Sequence, residues 1–238
     1  MNIRTSILTS LCAASLFSLA ASAFGDAIFQ KDFTAPAESP QSDLSGMLVW
    51  TGSPVHSWGD ITVEALPAGV ADSPKKALTV FTNSTNPAAP DGSRFCPSID
   101  IKTPGLGADA KTKTVVYLFR YLVPIDGKYR TDFHFGGSWN SNAAILVLAS
   151  GKVTAMANST PVAVGEYTPK VWQELRVEFD CAGKTYSIFL DGNKAANAMP
   201  WNNPNLPSID YIKIVAGAMP VDAKTPVFYL EKIDISGK

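Results

Sequence analysis

Apolar and polar residues alternate with a period of two along almost the whole chain, and no stretch keeps a 3.6-residue period over the length a helix needs. The segment VWQELRVEFDCAGKTYSIFLDGNKAA, residues 171 to 196, shows this most clearly. Leu175, Val177 and Phe179 share one strand face, while Glu174, Arg176 and Glu178 share the other. Asp191-Gly192 then forms the two-residue turn of a hairpin. Similar alternation marks DAIFQKDF (26–33), GDITVEAL (59–66), KALTVFTN (76–83), YRTDFHFGG (129–137), IDYIKIVAG (209–217) and VFYLEKIDI (227–235). KTVVYLFRYLVP (113–124) is apolar on both faces except at Arg120, the pattern of a central strand covered on both sides. NSTNPAAPDGS (83–93), NSTPVAVGEYTPK (158–170) and PWNNPNLPS (200–208) read as loops by composition. Roughly a dozen short strands with turns between them predict an all-β fold, a two-sheet antiparallel β-sandwich.

Residues 1–23 have the form of a secretory signal peptide: Arg4, an apolar run from Ile7 to Ala20, then Ala21-Ser22-Ala23 as an A-x-A cleavage site. The expected mature chain is one domain, residues 24–238, secreted or periplasmic. The apolar run is too short for a membrane span, and no second candidate follows it. The chain has 20 basic and 21 acidic residues and only Arg4 lies in the leader, so the mature chain has a net charge of −2. No basic run stands out, which argues against a nucleic-acid partner.

Cleavage would leave two of the three cysteines, Cys96 and Cys181. An even number in an oxidising compartment permits a disulfide, and closing that loop would contribute on the order of 4 kcal/mol. Two cysteines and two histidines without ligand spacing give no zinc site, and no cofactor is required.

The run Trp172…Leu175-x-Val177-x-Phe179…Tyr186-x-Ile188-x-Leu190-Asp191-Gly192 resembles the signature of concanavalin A-like, laminin G-like jelly rolls. In that superfamily a Trp precedes a strand, and a hairpin leads to a second strand ending in Asp-Gly. FYLEKIDI resembles the usual closing strand, which lies near the start of the domain in space. The resemblance implies two curved antiparallel sheets, a glycan or substrate groove on the concave one, and a structural calcium for which no acidic cluster supplies ligands. Lectins, binding modules, hydrolases and lyases share this fold, so it does not name a function.

Laminarinase-type members carry a catalytic strand E-x-D-x-x-E or E-x-D-x-E. Here ELRVE puts Arg176 in place of the middle Asp. An Arg between Glu174 and Glu178 favours the charged form of both, so the strand reads as a solvated face. The weak catalytic candidates are His134 and Asp132, which share a strand face, with Arg120 as a partner for Asp132 or for an acidic sugar. Trp139 with Asn140 and Trp201 with Asn202 stand in Gly-, Asn- and Pro-rich loops. An exposed indole there would stack on a pyranose while the amides bond its hydroxyls. Trp50 and Trp172 read as core. The leading expectation is a non-catalytic protein binding a glycan or polysaccharide. A glycoside hydrolase or polysaccharide lyase, and a structural or adhesive envelope protein, are the alternatives.

Overall fold

The computed structural model describes residues 25–35, 43–53, 56–57, 59–67, 70, 76–82, 96–103, 105–108, 113–124, 129–138, 141–157, 160–218 and 225–238. Among them there is no helix, and two antiparallel sheets face each other across one core. The first sheet runs β15 (Asn193–Pro200), β14 (Thr185–Leu190), β13 (Gln173–Asp180), β8 (Thr114–Leu122), β17 (Thr225–Gly237), β6 (Lys76–Thr82), β5 (Gly59–Ala65). Its eighth strand, β1 (Asp26–Asp32), also pairs with β17, so an early and a late strand of the chain lie side by side as the resemblance implies. The second sheet runs β12 (Thr160–Glu166), β11 (Lys152–Ala157), β10 (Ser141–Ala149), β9 (Tyr129–Ser138), β16 (Tyr211–Ala218), β7 (Ser98–Lys102), β2 (Leu48–Trp50). A short ribbon of β3 (Gly52–Ser53) and β4 (His56–Ser57) stands apart.

Alternation decides which side chains meet between the sheets. Tyr117, Phe119 and Tyr121 of β8, Phe133 and Phe135 of β9, Phe179 of β13 and Phe228 of β17 are all buried there. Their rings touch at centroid separations of 5.0 Å for Tyr117–Phe135 and 5.1 Å for Phe119–Phe133. Edge-on and tilted pairs of this kind add roughly 0.5–1.5 kcal/mol each beyond the area they bury. β8 is central, between β13 and β17, and Leu122 on its outer side is buried with Ala77, Tyr229 and Trp172.

The predicted hairpin forms: Asp191 and Gly192 both take positive φ, 47° and 77°, the type I′ turn whose twist suits the flanking strands. Three other expectations are corrected. Residues 160–166 form β12 rather than a loop, because Val162 and Val164 alternate well enough to pair with β11, and an edge position tolerates Pro161. Trp50 is not core. It lies on the edge strand β2 at 44% exposure, on the outer side of the sheet. Cys96 and Cys181 are not joined by a disulfide. Cys96 precedes β7, whereas the Cys181 thiol packs against Gly107 in the turn beyond the other end of β7, so closely that a Cβ at Gly107 would collide with it. Five strand residues separate the two ends by roughly 16 Å, far beyond a disulfide's reach.

Candidate functional site

Four strands of the seven-stranded sheet carry a cluster of polar side chains on the face away from the core. On β9, Phe133 and Phe135 point inward, so Arg130, Asp132 and His134 point outward. On β16, Ile212 and Ile214 are inward and Tyr211 and Lys213 outward; on β7, Ile99 and Ile101 are inward and Asp100 outward. Strand register then lines them up. His134 stands opposite Lys213, Lys213 opposite Asp100 and Asp100 opposite Leu48, forming one row across β9, β16, β7 and β2. Asp132, Val215, Ser98 and Trp50 form the adjacent row.

Two ion pairs frame this cluster. Lys213 Nζ lies 3.2 Å from Asp100 Oδ1, and Arg130 Nε lies 2.6 Å from Asp132 Oδ1. The two carboxylates are only 15% and 16% exposed. The Trp50 indole donates from Nε1 to Asp100 Oδ2 at 3.2 Å, which fixes the orientation of a ring still open to solvent. His134 Nε2 is 3.9 Å from Asp132 Oδ2. Burial pushes the imidazole below the ordinary histidine range; Asp132 opposes this, and Arg130 and Lys213 reinforce it. Burial and the Asp100 charge push the Tyr211 phenol up to about 12. Its hydroxyl, buried beside the cluster, has no hydrogen-bond partner among the described residues. The face thus offers an oriented indole and two acceptor–donor pairs, with the His134 imidazole and the Tyr211 hydroxyl buried beside them.

Of the residues singled out from sequence, Asp132 and His134 belong to this cluster and Arg120 does not. Arg120 is on β8 of the opposite sheet, on the outward side of a strand whose odd-numbered residues are buried, and its Nε binds Glu231 Oε2 at 2.5 Å. The whole core separates it from Asp132, whose partner is Arg130. Burial, ahead of the opposing Arg120 charge, raises the Glu231 carboxyl above its usual range.

Trp201 is corrected as well: at 1% exposure it offers no face to a ligand. It donates from Nε1 to Thr185 O at 3.1 Å, meets Phe179 edge-on at 6.1 Å, and carries Lys184 Nζ 4.3 Å above its ring. It is held at the point where the chain crosses between the sheets, with the Asn202 amide bonded to Ala143 O at 2.8 Å and Asn203 Nδ2 to Ser141 Oγ at 2.8 Å. Trp139 and Asn140 lie outside the described residues. The ELRVE face is structural. The Arg176 guanidinium lies 3.8 Å over the Phe189 ring and binds Glu178 at 3.0 Å, while the Glu174 amide is tied to Asp191 at 2.7 Å. As to the calcium that the fold resemblance implies, no three His, Cys, Asp or Glu side chains converge among the described residues. Nor is any helix among them long and apolar enough to cross a membrane.

Sequence reading missed Trp50, Asp100, Tyr211 and Lys213. The alternation in SIDIK and YIKIV does place Asp100, Tyr211 and Lys213 on solvent faces. Only the pairing of β7 with β16 and of β16 with β9 shows that the faces coincide.

Fold and site together define a β-sandwich with a titratable, aromatic-edged outer face. No protein-family model matches the chain, and no curated protein is a significant match to its sequence. Among solved structures it is similar to a sialidase, with a TM-score of 0.64 and 16% identity over 89% of this chain and 18% of that one. It is also similar to a carbohydrate esterase of the Shiga toxin-encoding bacteriophage phi24B, with a TM-score of 0.58 and 11% identity over 90% and 99% of the two chains. The binding domain of botulinum neurotoxin DC, solved with rat synaptotagmin II, follows at 0.50 and 9% over 81% and 43%. The chain spans about a fifth of the sialidase's length. Identities this low show a shared fold alone.

Proposed function

We propose that this is an exported glycan-binding protein of the concanavalin A-like kind, and that it takes sugar on the outer face of the seven-stranded sheet. The observation that carries the reading is Trp50: an indole 44% exposed, fixed through its own N–H by Asp100, in the same cross-strand row as Asp132 and beside the row of His134, Lys213 and Asp100. A fixed aromatic plane beside acceptors and donors stacks on a pyranose ring and bonds its hydroxyls. The Arg4 and Ala21-Ser22-Ala23 leader supports export, and two of the similar structures are named for enzymes of sugar chemistry.

Affinity electrophoresis through gels cast with polysaccharides tests this directly. Wild type is retarded by at least one polysaccharide, and Trp50→Ala runs freely in the same gel. A Trp50→Ala protein retarded as strongly as wild type overturns the assignment of the site.

A carbohydrate-active enzyme is the second reading, favoured by His134, whose Nε2 lies 3.9 Å from the Asp132 carboxylate, the pairing of an acid–base residue with an orienting carboxylate. Against it, Asp132 and Asp100 are each committed to a cation and stand on strands separated by β16. Release of reducing or unsaturated sugar ends by wild type, and not by His134→Gln, would establish the enzyme in place of the binding protein.

A further inference from the structure

The charge balance of this face specifies its ligand more narrowly. We infer that the site takes an uncharged sugar and discriminates against uronate, sialate and sulfate groups, with Asp100 and Asp132 accepting from sugar hydroxyls and Lys213 and Arg130 donating to them. This rests on the glycan-binding reading above.

An unpaired cation is what would favour a charged sugar over a neutral one electrostatically, and the described cluster offers none within it. Lys213 is neutralised by Asp100 at 3.2 Å and Arg130 by Asp132 at 2.6 Å, so these four residues sum to zero. His134 between them adds no charge at neutral pH, because burial disfavours its protonated form. An incoming carboxylate or sulfate would face two half-buried aspartates, and either displacing one or lying against it places like charges together in a partly desolvated site. Among the described residues, Lys102 is exposed and stands opposite Tyr211 at the margin, where water screens it. A hydroxyl pair meets no such penalty. Each Asp–Lys or Asp–Arg pair presents an acceptor and a donor side by side, as adjacent ring hydroxyls require. The Trp50 plane needs no charge either.

The experiment uses matched polysaccharides differing in charge: hydroxyethylcellulose against carboxymethylcellulose, dextran against dextran sulfate, and arabinoxylan against glucuronoxylan. The wild-type protein is expected to bind the neutral member of at least one pair about tenfold or more tightly than its charged partner. That binding should change little between low and high salt. Asp100→Asn and Asp132→Asn each free one cation, so both variants, with near-UV circular dichroism showing that they are folded, should gain retention by the charged member. Preferential wild-type retention by the charged members, lost in Trp50→Ala, overturns the inference while leaving glycan binding intact. So does a failure of both folded variants to shift toward the charged members. If no polysaccharide in any pair retards the wild type, the glycan-binding reading fails, and this inference with it.

Discussion

Trp50 and Trp201 have roles opposite to those their neighbourhoods in the sequence imply. Trp201 stands among Pro and Asn residues yet is closed into the core, because its indole N–H reaches Thr185 O and its ring packs on Phe179. Trp201→Ala should therefore cost about 3–5 kcal/mol, the range for emptying a buried aromatic site. Urea unfolding measures that loss. Trp50→Ala, on a solvent-facing edge strand, should cost about 1 kcal/mol or less while abolishing retardation by polysaccharide. His134 carries a pH dependence whose sign follows from its depressed pKa. As pH falls below about 6.5, the unfolded chain takes up the proton first, so stability declines until the folded-state pKa is passed. Melting temperatures recorded from neutral pH downward should fall more steeply for wild type than for His134→Gln.

At the scale of elements, the hairpin between β14 and β15 and the latch at β1 make separate contributions. Gly192 has φ of 77° and open space around it, so Gly192→Ala pays only for the left-handed backbone, about 1 kcal/mol by denaturant titration. The latch joins the two sheets. Lys31 on β1 is buried and binds Asp43 at 2.8 Å, just ahead of β2. The Lys31 hydrogen bond, followed by those from Ser45, pulls the Asp43 carboxyl down to about 2. Its contribution is complete above about pH 4, the unfolded value, and is lost as pH falls toward 2. The stability gap between wild type and Asp43→Asn should therefore narrow across that interval in acid-unfolding curves. Such elements were legible in the sequence to different degrees. Strand β13 and the Asp191-Gly192 turn follow from local alternation and turn chemistry. Strand β12 was hidden because Pro161 and Gly165 are loop residues unless an edge position accommodates them.

For the whole molecule, assignment of strands to sheets was the information that local pattern could not carry. The alternation shows Arg120, Asp132 and His134 all facing away from apolar neighbours, and it is the topology that sends Arg120 to one outer face and the other two to the opposite one. Cys96 and Cys181 fail to meet for a similar reason, since they flank opposite ends of β7. Reducing agent should accordingly leave the melting temperature of the purified protein unchanged; a drop of several degrees would show a bridge between them.

Strand β17 sets a condition on how this protein is made. Its partners β1, β6 and β8 all precede it in the chain, and it lies in the interior of their sheet. Until β17 has been made that place is vacant: β6 and β8 each lack a neighbour, and the core lacks Phe228, Leu230, Ile233 and Ile235. The sandwich can close only once residue 237 has been made, so every shorter length of this chain leaves the first sheet split where β17 belongs.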